Sequence, residues 1–219
     1  MPRAKLKKFK EIAERENVLE DDKPIYKNLS GNWNELYFKN DNPITVEMGC
    51  GKGEYSVGLA KINPDDNFIG VDVKGDRLWA GSTLSIEEGL KNTGFLRTQI
   101  QLIDQFFAPN EVSNIWITFP DPRPRDGDTK RRLTSPRYLK MYKSILKQQG
   151  WVYLKTDSDK LFEYTLELLK EQDDVRDLAY TFDLYDSEYV DEHHGIQTTF
   201  EQKYLAQGIK IKYLKFRFG

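Results

Sequence analysis

One cysteine, Cys50, and one adjacent pair of histidines, His193 and His194, are the whole supply of thiol and imidazole in 219 residues. A single cysteine excludes an intramolecular disulfide and argues against a Cys-based zinc site. The histidine pair has no Asp or Cys at a spacing that closes a site, so a surface loop and no metal are expected there. No apolar run approaches the ~18 residues of a bilayer span, which excludes a transmembrane helix. The basic opening Met1-Pro2-Arg3-Ala4-Lys5 leads into no apolar stretch, so no secretory signal is expected and the cytoplasm is the expected location. Neither sign of charge dominates: 33 Lys and Arg stand against 35 Asp and Glu, for a net charge of −2. As an average, that argues against a nucleic-acid binder. What is present is a globular composition. Aromatics at 13% are too many for a disordered chain, and the length suits one sizeable α/β domain or two small ones.

The average charge hides an asymmetry. Arg3, Lys5, Lys7, Lys8 and Lys10 open the chain without an acid. Between Arg123 and Lys143 lie eight basic residues against Asp126 and Asp128, whereas 159–192 carries twelve acids and three bases. Taken alone, such runs are ordinary solvated surface; segregated, they can give an acidic protein one basic face. Residues 1–34 read as a basic, partly mobile arm, with Leu6, Phe9, Ile12 and Ala13 at the spacing of a short amphipathic helix. The arm either adds RNA contacts or serves as a solubilising tail.

From Pro43 onward, strands alternate with helices. The expected strands are 44–48, 67–73, 95–100, 113–119 and 151–155, followed by two C-terminal strands at 175–184 and 209–218. Ser135-Pro136 and Ser158 are expected to start helices, and Gly150 to stop one. Five βα units imply a doubly wound parallel sheet, whose ligands bind at the carboxyl ends of the strands.

The loop Glu47-Met48-Gly49-Cys50-Gly51-Lys52-Gly53 follows the first of these strands and opens a helix. A dinucleotide site wants G-x-G-x-x-G, but here the third glycine falls one residue early and Glu54 stands in its place. Glu54 at a helix N-terminus would repel a pyrophosphate, and Glu47 adds a second negative charge. Both suit a cationic ligand without phosphate, such as S-adenosylmethionine. Asp72, at the end of the second strand, would take ribose hydroxyls in either case. Cys50 is expected to be a small filler. Further on, Phe119-Pro120-Asp121-Pro122-Arg123-Pro124-Arg125 is a loop stiffened by three prolines that holds Asp121 at a strand end. It is similar to the Asp/Asn-Pro-Pro-aromatic loops of amino methyltransferases. Lys130-Arg131-Arg132 follows closely.

These two loops, with Lys130-Arg131-Arg132-Leu133, Lys155-Thr156-Asp157 and Thr198-Thr199-Phe200-Glu201-Gln202-Lys203, occur in an order and spacing that resembles the bacterial tRNA (guanine-N7-)-methyltransferase family, over roughly residues 40–215. The resemblance implies a class I S-adenosylmethionine-dependent enzyme that makes 7-methylguanosine at guanine 46 of the tRNA variable loop. The expected fold is α/β, Rossmann-like: a doubly wound, mostly parallel seven-stranded sheet with an antiparallel last strand, spanning 35–219 as the methyltransferase domain. By the same resemblance, Glu47, Gly49, Gly51, Asp72, Gln99 and Asp121 bind the cofactor, and Asp121 is catalytic. Arg125, Asp157, Thr198, Thr199, Phe200 and Glu201 contact the substrate. Gly127, Asp128, Thr129, Lys130, Arg131 and Arg132 touch RNA. The chain departs from the family pattern at Arg123, where Trp is usual, at Gln99, where an acid is, at Arg125, where Lys is common, and at Asp128, which replaces a His. On its own residues, Phe200 reads equally as a base-stacking group or as core. Either a monomer or a homodimer fits.

The chemistry suits such a reaction. Guanine N7 carries a lone pair and no proton, so no general base is required. The demand is orientation, together with stabilisation of positive charge arriving on the purine. An ionised Asp121 would meet it electrostatically. The alternatives are an amino methyltransferase acting on a small molecule or protein, against which the basic run argues, and a non-enzymatic RNA-binding protein on the same scaffold. Fold alone does not decide between them.

Overall fold

The computed structural model describes residues 3–219 of the chain; Met1 and Pro2 of the basic opening lie outside the described residues. In chain order the regular elements are α1 (Arg3–Glu14), β1 (Val18–Leu19), β2 (Ile44–Met48), α2 (Glu54–Ile62), β3 (Asn67–Asp72), α3 (Gly75–Glu87) and β4 (Thr93–Arg97). There follow β5 (Val112–Thr118), α4 (Pro136–Ile145), β6 (Leu146–Thr156), α5 (Asp159–Lys170), β7 (Val175–Thr181), α6 (Thr199–Leu205) and β8 (Lys212–Phe218). They form one sheet in the order β1-β4-β3-β2-β5-β6-β8-β7. All pairings are parallel except those of β8, which runs antiparallel to both β6 and β7. The doubly wound sheet is therefore as expected, with one strand more than the seven expected: the two-residue β1 at the far edge.

β2 and β3 are buried along their whole length because helices cover both faces of a parallel sheet. Val46, Met48, Ile69, Val71, Leu96, Ile115, Ile117, Val152, Leu154 and Leu214 join in one apolar cluster. Strand order reverses between β2 and β5, so the loops that leave them diverge and open a crevice at their carboxyl ends.

One local expectation needs correcting. Gly150 does not stop a helix. α4 ends at Ile145, and Gly150 lies within β6, where an added Cβ would sit 2.6 Å from the Ser113 carbonyl oxygen. Ser135 and Pro136 start α4 as expected, although the Ser135 hydroxyl makes no capping bond and donates instead to the Lys130 carbonyl at 3.2 Å. Ser158 behaves as expected: its Oγ accepts from Leu161 N at 3.3 Å.

Residues expected as a separate arm are packed into the domain. Ile12, Val18, Leu19, Leu29 and Trp33 are buried. Arg15 donates to Trp79 O, Ser82 Oγ and Thr83 Oγ1 at 2.8–3.1 Å, which fastens α1 to α3. Trp33 stacks on Phe107 at 5.2 Å and donates Nε1 to Phe106 O at 2.7 Å. Position 34 is thus no packing boundary. The described helix starts the fold by docking beside the β3–α3 turn, where Gly75 admits Ile12: a Cβ there would meet Ile12 Cδ1 at 2.6 Å.

Candidate active site

A cavity of about 840 Å³ opens at the carboxyl ends of five parallel strands. Gly49 follows β2, Asp72 closes β3, Gln99 follows β4, Phe119 to Arg123 follow β5 and Asp157 follows β6. Phe200 and Tyr204 of α6 complete the wall, with Lys74, Arg77 and Arg131 at the rim. Of the residues expected at a site, this cavity brings together Gly49, Asp72, Gln99, Asp121, Asp157, Phe200 and Arg131.

The glycine loop is held from beneath. Glu47 is 3% exposed and does not face the cavity. Its Oε2 accepts from Ser56 N at 2.9 Å and Ser56 Oγ at 2.5 Å, and its Oε1 accepts from Thr118 Oγ1 at 2.5 Å. The carboxyl thus caps the first turn of α2 and ties it to β5. Burial pushes its pKa up to about 7, against the pull of those hydrogen bonds. Gly53 ends the loop at φ +69°, and an added Cβ would lie 2.6 Å from Phe95 Cε1, so both backbone and space demand glycine.

The loop amides are already engaged. Gly49 N and Cys50 N donate to Val71 O at 2.8 and 3.0 Å, and Gly51 N donates to Asp72 Oδ2 at 3.1 Å. Asp72 Oδ1 accepts from Lys74 N at 2.8 Å. A carboxylate therefore sits where a dinucleotide loop would present free amides to phosphate. This donor set fits a ligand that brings hydroxyls and positive charge and rejects one that brings pyrophosphate. Gly51 does not line the cavity; it supports Asp72. Glu54 also differs from its expected place: its carboxylate turns to α6 and accepts from Thr199 N at 3.2 Å and from the Thr199 hydroxyl. Cys50 is buried, with Sγ packed on Gly70, a filler as expected, and burial raises its thiol pKa.

The opposite wall is built differently. Phe119 and Arg123 both have φ of +46°, a left-handed backbone that costs a non-glycine residue ~1–2 kcal/mol. Between them, Asp121 is exposed, accepts from Arg123 N at 3.2 Å and pairs with Arg123 Nε at 3.1 Å. Arg132 holds this loop. It is 3% exposed, donates Nε and Nη2 to the Arg123 carbonyl at 3.3 and 3.1 Å, and lies 4.3 Å over the Tyr164 ring. Arg132 is therefore a brace, where the sequence suggested an RNA contact. Arg125, Gly127 and Lys130 are exposed, with Asp128 and Thr129 partly so, in a 3-10 turn outside the cavity lining. Asp157 is half-buried, and that burial raises its carboxyl pKa.

In Thr198 to Glu201, neighbours point opposite ways. Thr198 and Glu201 are buried and form a capping box at the start of α6. Thr199 bonds Glu54, and only Phe200, 52% exposed, reaches the cavity. Of the two readings of Phe200, core packing is therefore excluded by exposure. Tyr204, which no motif flagged, joins it and lies 6.2 Å from the Phe119 ring. Lys74 and Arg77 also line the cavity without belonging to any motif, although they follow Asp72 closely in the sequence. His193 is buried beside Tyr185, correcting the expected surface loop, while His194 is exposed. Among the described residues no group of three or more His, Cys, Asp or Glu could hold a metal, and no helix is long and apolar enough to cross a membrane.

Comparison with known proteins places this geometry. A family model described as a putative methyltransferase matches residues 41–214. A tRNA (guanine-N(7)-)-methyltransferase of Cytophaga hutchinsonii is 51% identical over 100% of this chain and 99% of its own length. A protein of the same name from Christiangramia forsetii is 49% identical over 97% of each chain. Among solved structures, the 16S rRNA methyltransferase KamB superposes with a TM-score of 0.64 over 93% of this chain and 99% of its own, at 12% identity, which speaks for the fold alone.

Proposed function

The chain belongs to the tRNA (guanine-N7-)-methyltransferase family, and on that premise we propose that its cavity carries a methyl group from S-adenosylmethionine to N7 of a guanine in tRNA, in the cytoplasm. The observation that carries this assignment of the site is the cavity itself. One continuous space joins a glycine loop closed by a carboxylate to Asp121 and an aromatic wall. Asp72, Gly49 and Gln99 would hold the cofactor, and its hydroxyls would replace or join the amides now on Asp72. When bound, S-adenosylmethionine supplies an electrophilic methyl on a sulfonium, which N7 takes with its own lone pair, leaving S-adenosylhomocysteine.

The remaining work falls to this chain's side chains. Phe200, Tyr204 and Phe119 offer stacking faces for a base turned out of the tRNA. Asp121 and Asp157 can accept from the N1–H and amino group of guanine, and their negative charge favours the cationic purine that forms. Lys74, Arg77, Arg123 and Arg131 surround the opening with positive charge, which suits phosphates and leaves base choice to the pocket. The test is incubation with labelled S-adenosylmethionine and an unmodified tRNA transcript, followed by digestion and identification of the nucleoside. Labelled 7-methylguanosine is expected, and mapping it along the transcript tests guanine 46. Another methylated nucleoside would overturn the acceptor assignment.

A further inference from the structure

Lys155 is the one lysine among the largest fully buried side chains of the described residues, and the reaction above does not use it. Its Nζ lies 2.8 Å from Glu201 Oε1 and 2.9 Å from Oε2, and both side chains are wholly buried. The ammonium also sits 4.9 Å over the Tyr55 ring and 3.4 Å from the Ile196 carbonyl oxygen. Burial pulls the Lys155 pKa below its usual value while Glu201 pulls it back. Glu201 is equally well engaged: Tyr185 OH donates to Oε1 at 2.9 Å, and Thr198 N donates to Oε2 at 3.3 Å. A buried ion pair is a weak device for stability, since well-packed apolar groups often do as well. Its attested use is to fix register.

What it fixes here is α6. Glu201 is the third residue of that helix, and its neighbour Phe200 is the exposed ring at the cavity. On the other side, the Lys155 carbonyl accepts from Phe119 N at 2.8 Å, at the root of the loop that carries Asp121. α2 supplies a second seat. Glu54 accepts from Thr199 N, and Gly58 leaves room for Ile196, since a Cβ there would come within 2.8 Å of Ile196 Cγ2. One buried lysine thus touches the supports of both the aromatic wall and the Asp121 loop.

We propose that Lys155 is a positioning residue for the acceptor base, acting through Glu201 to set the first turn of α6 and so the place of Phe200 over the cavity. This rests on the methyl-transfer reading above. On this proposal Glu201 acts from beneath the site and does not touch substrate.

The test is a double-mutant cycle on kcat/KM for a tRNA transcript, with wild type, Phe200→Ala, Lys155→Met and the double variant, beside cofactor Kd and thermal unfolding for each. Lys155→Met is expected to lower kcat/KM for tRNA by about tenfold or more and to move cofactor Kd by less than about twofold. On the Phe200→Ala background its further effect is expected to shrink below about threefold, because the group it positions is gone. A merely structural role lowers the unfolding midpoint yet leaves the two losses multiplying, and multiplying losses overturn the proposal. Should Lys155→Met not fold, Glu201→Gln keeps the size of the partner while removing its charge and one of its two accepting oxygens, and runs in the same cycle. Absence of 7-methylguanosine with the wild-type protein overturns the methyl-transfer reading and this proposal with it. Wild-type turnover with multiplying losses overturns this proposal alone.

Discussion

The two walls of the cavity are held by opposite means. The glycine-loop wall is a backbone construction: Gly49, Cys50 and Gly51 amides are bonded to Val71 O and Asp72, and Glu47 is sealed beneath them. The facing wall hangs on side chains. Asp121 is exposed, the backbone is left-handed at Phe119 and Arg123, and a guanidinium from Arg132 holds the loop by one carbonyl. Strain of this sort persists only where its surroundings enforce it, and it gathers at working sites. The contrast implies a division of labour. Changes in the first wall should register mainly in stability and cofactor binding, and changes in the second mainly in turnover.

Asp121→Asn offers the largest effect and the most direct way to break that contrast. The substitution keeps size and removes charge from the group best placed to stabilise a cationic purine. A fall of about 10²–10³ in kcat is expected, with cofactor Kd changed by less than about tenfold. Single-turnover methylation and cofactor titration check it. Full turnover with intact cofactor binding would strip Asp121 of its electrostatic role.

Glu47 tests the other wall. Its pKa is raised to about 7 by burial, so the folded protein keeps a proton that the unfolded chain releases above the usual glutamate range. Folding stability from this group therefore falls as pH rises from about 4.5 to 7, by about 3 kcal/mol in all, and is level above that. Urea unfolding of wild type and Glu47→Gln at pH 5, 6, 7 and 8 isolates the effect as a difference. The variant is expected to lose this slope and to gain on wild type as pH rises. Parallel curves would mean that Glu47 is already ionised at pH 5.

What the residues disclosed in advance follows the same division. β2, β3, the glycine loop, Asp72 and the Ser158 cap were legible because each depends on neighbours in sequence: an apolar run, a turn, a hydroxyl three residues from an amide. The fold class followed from the βα alternation. Less was legible where tertiary contact decides. Arg131 and Arg132 are adjacent and chemically alike, yet one is at the rim and the other is buried on Tyr164. Thr198 to Glu201 reads as one substrate segment, but a helical first turn sends Phe200 outward and Glu201 to Lys155. Trp33 and Ile12 read in the sequence as parts of an arm because their partners, Phe107 and Gly75, lie more than sixty residues away.

That adjacent pair gives the smallest effect and the sharpest division within the second wall. Arg131 has a side chain 70% exposed and pairs with Asp128 at 3.1 Å, a surface contact worth little and readily exchanged for a phosphate. Each phosphate contact adds to the salt dependence of binding, so Arg131→Ala should weaken tRNA affinity about fivefold near physiological salt and lower the log–log salt slope by about one. Arg132→Ala removes a brace, so its slope should stay at the wild-type value while kcat falls as the Asp121 loop loosens. Filter binding across a salt series, beside turnover for each variant, reads both quantities. An unchanged slope for Arg131→Ala would move the RNA track away from this rim, toward Lys74 and Arg77. A reduced slope for Arg132→Ala would mean that the brace swings out to meet phosphate, and that the second wall is assembled by the tRNA it binds.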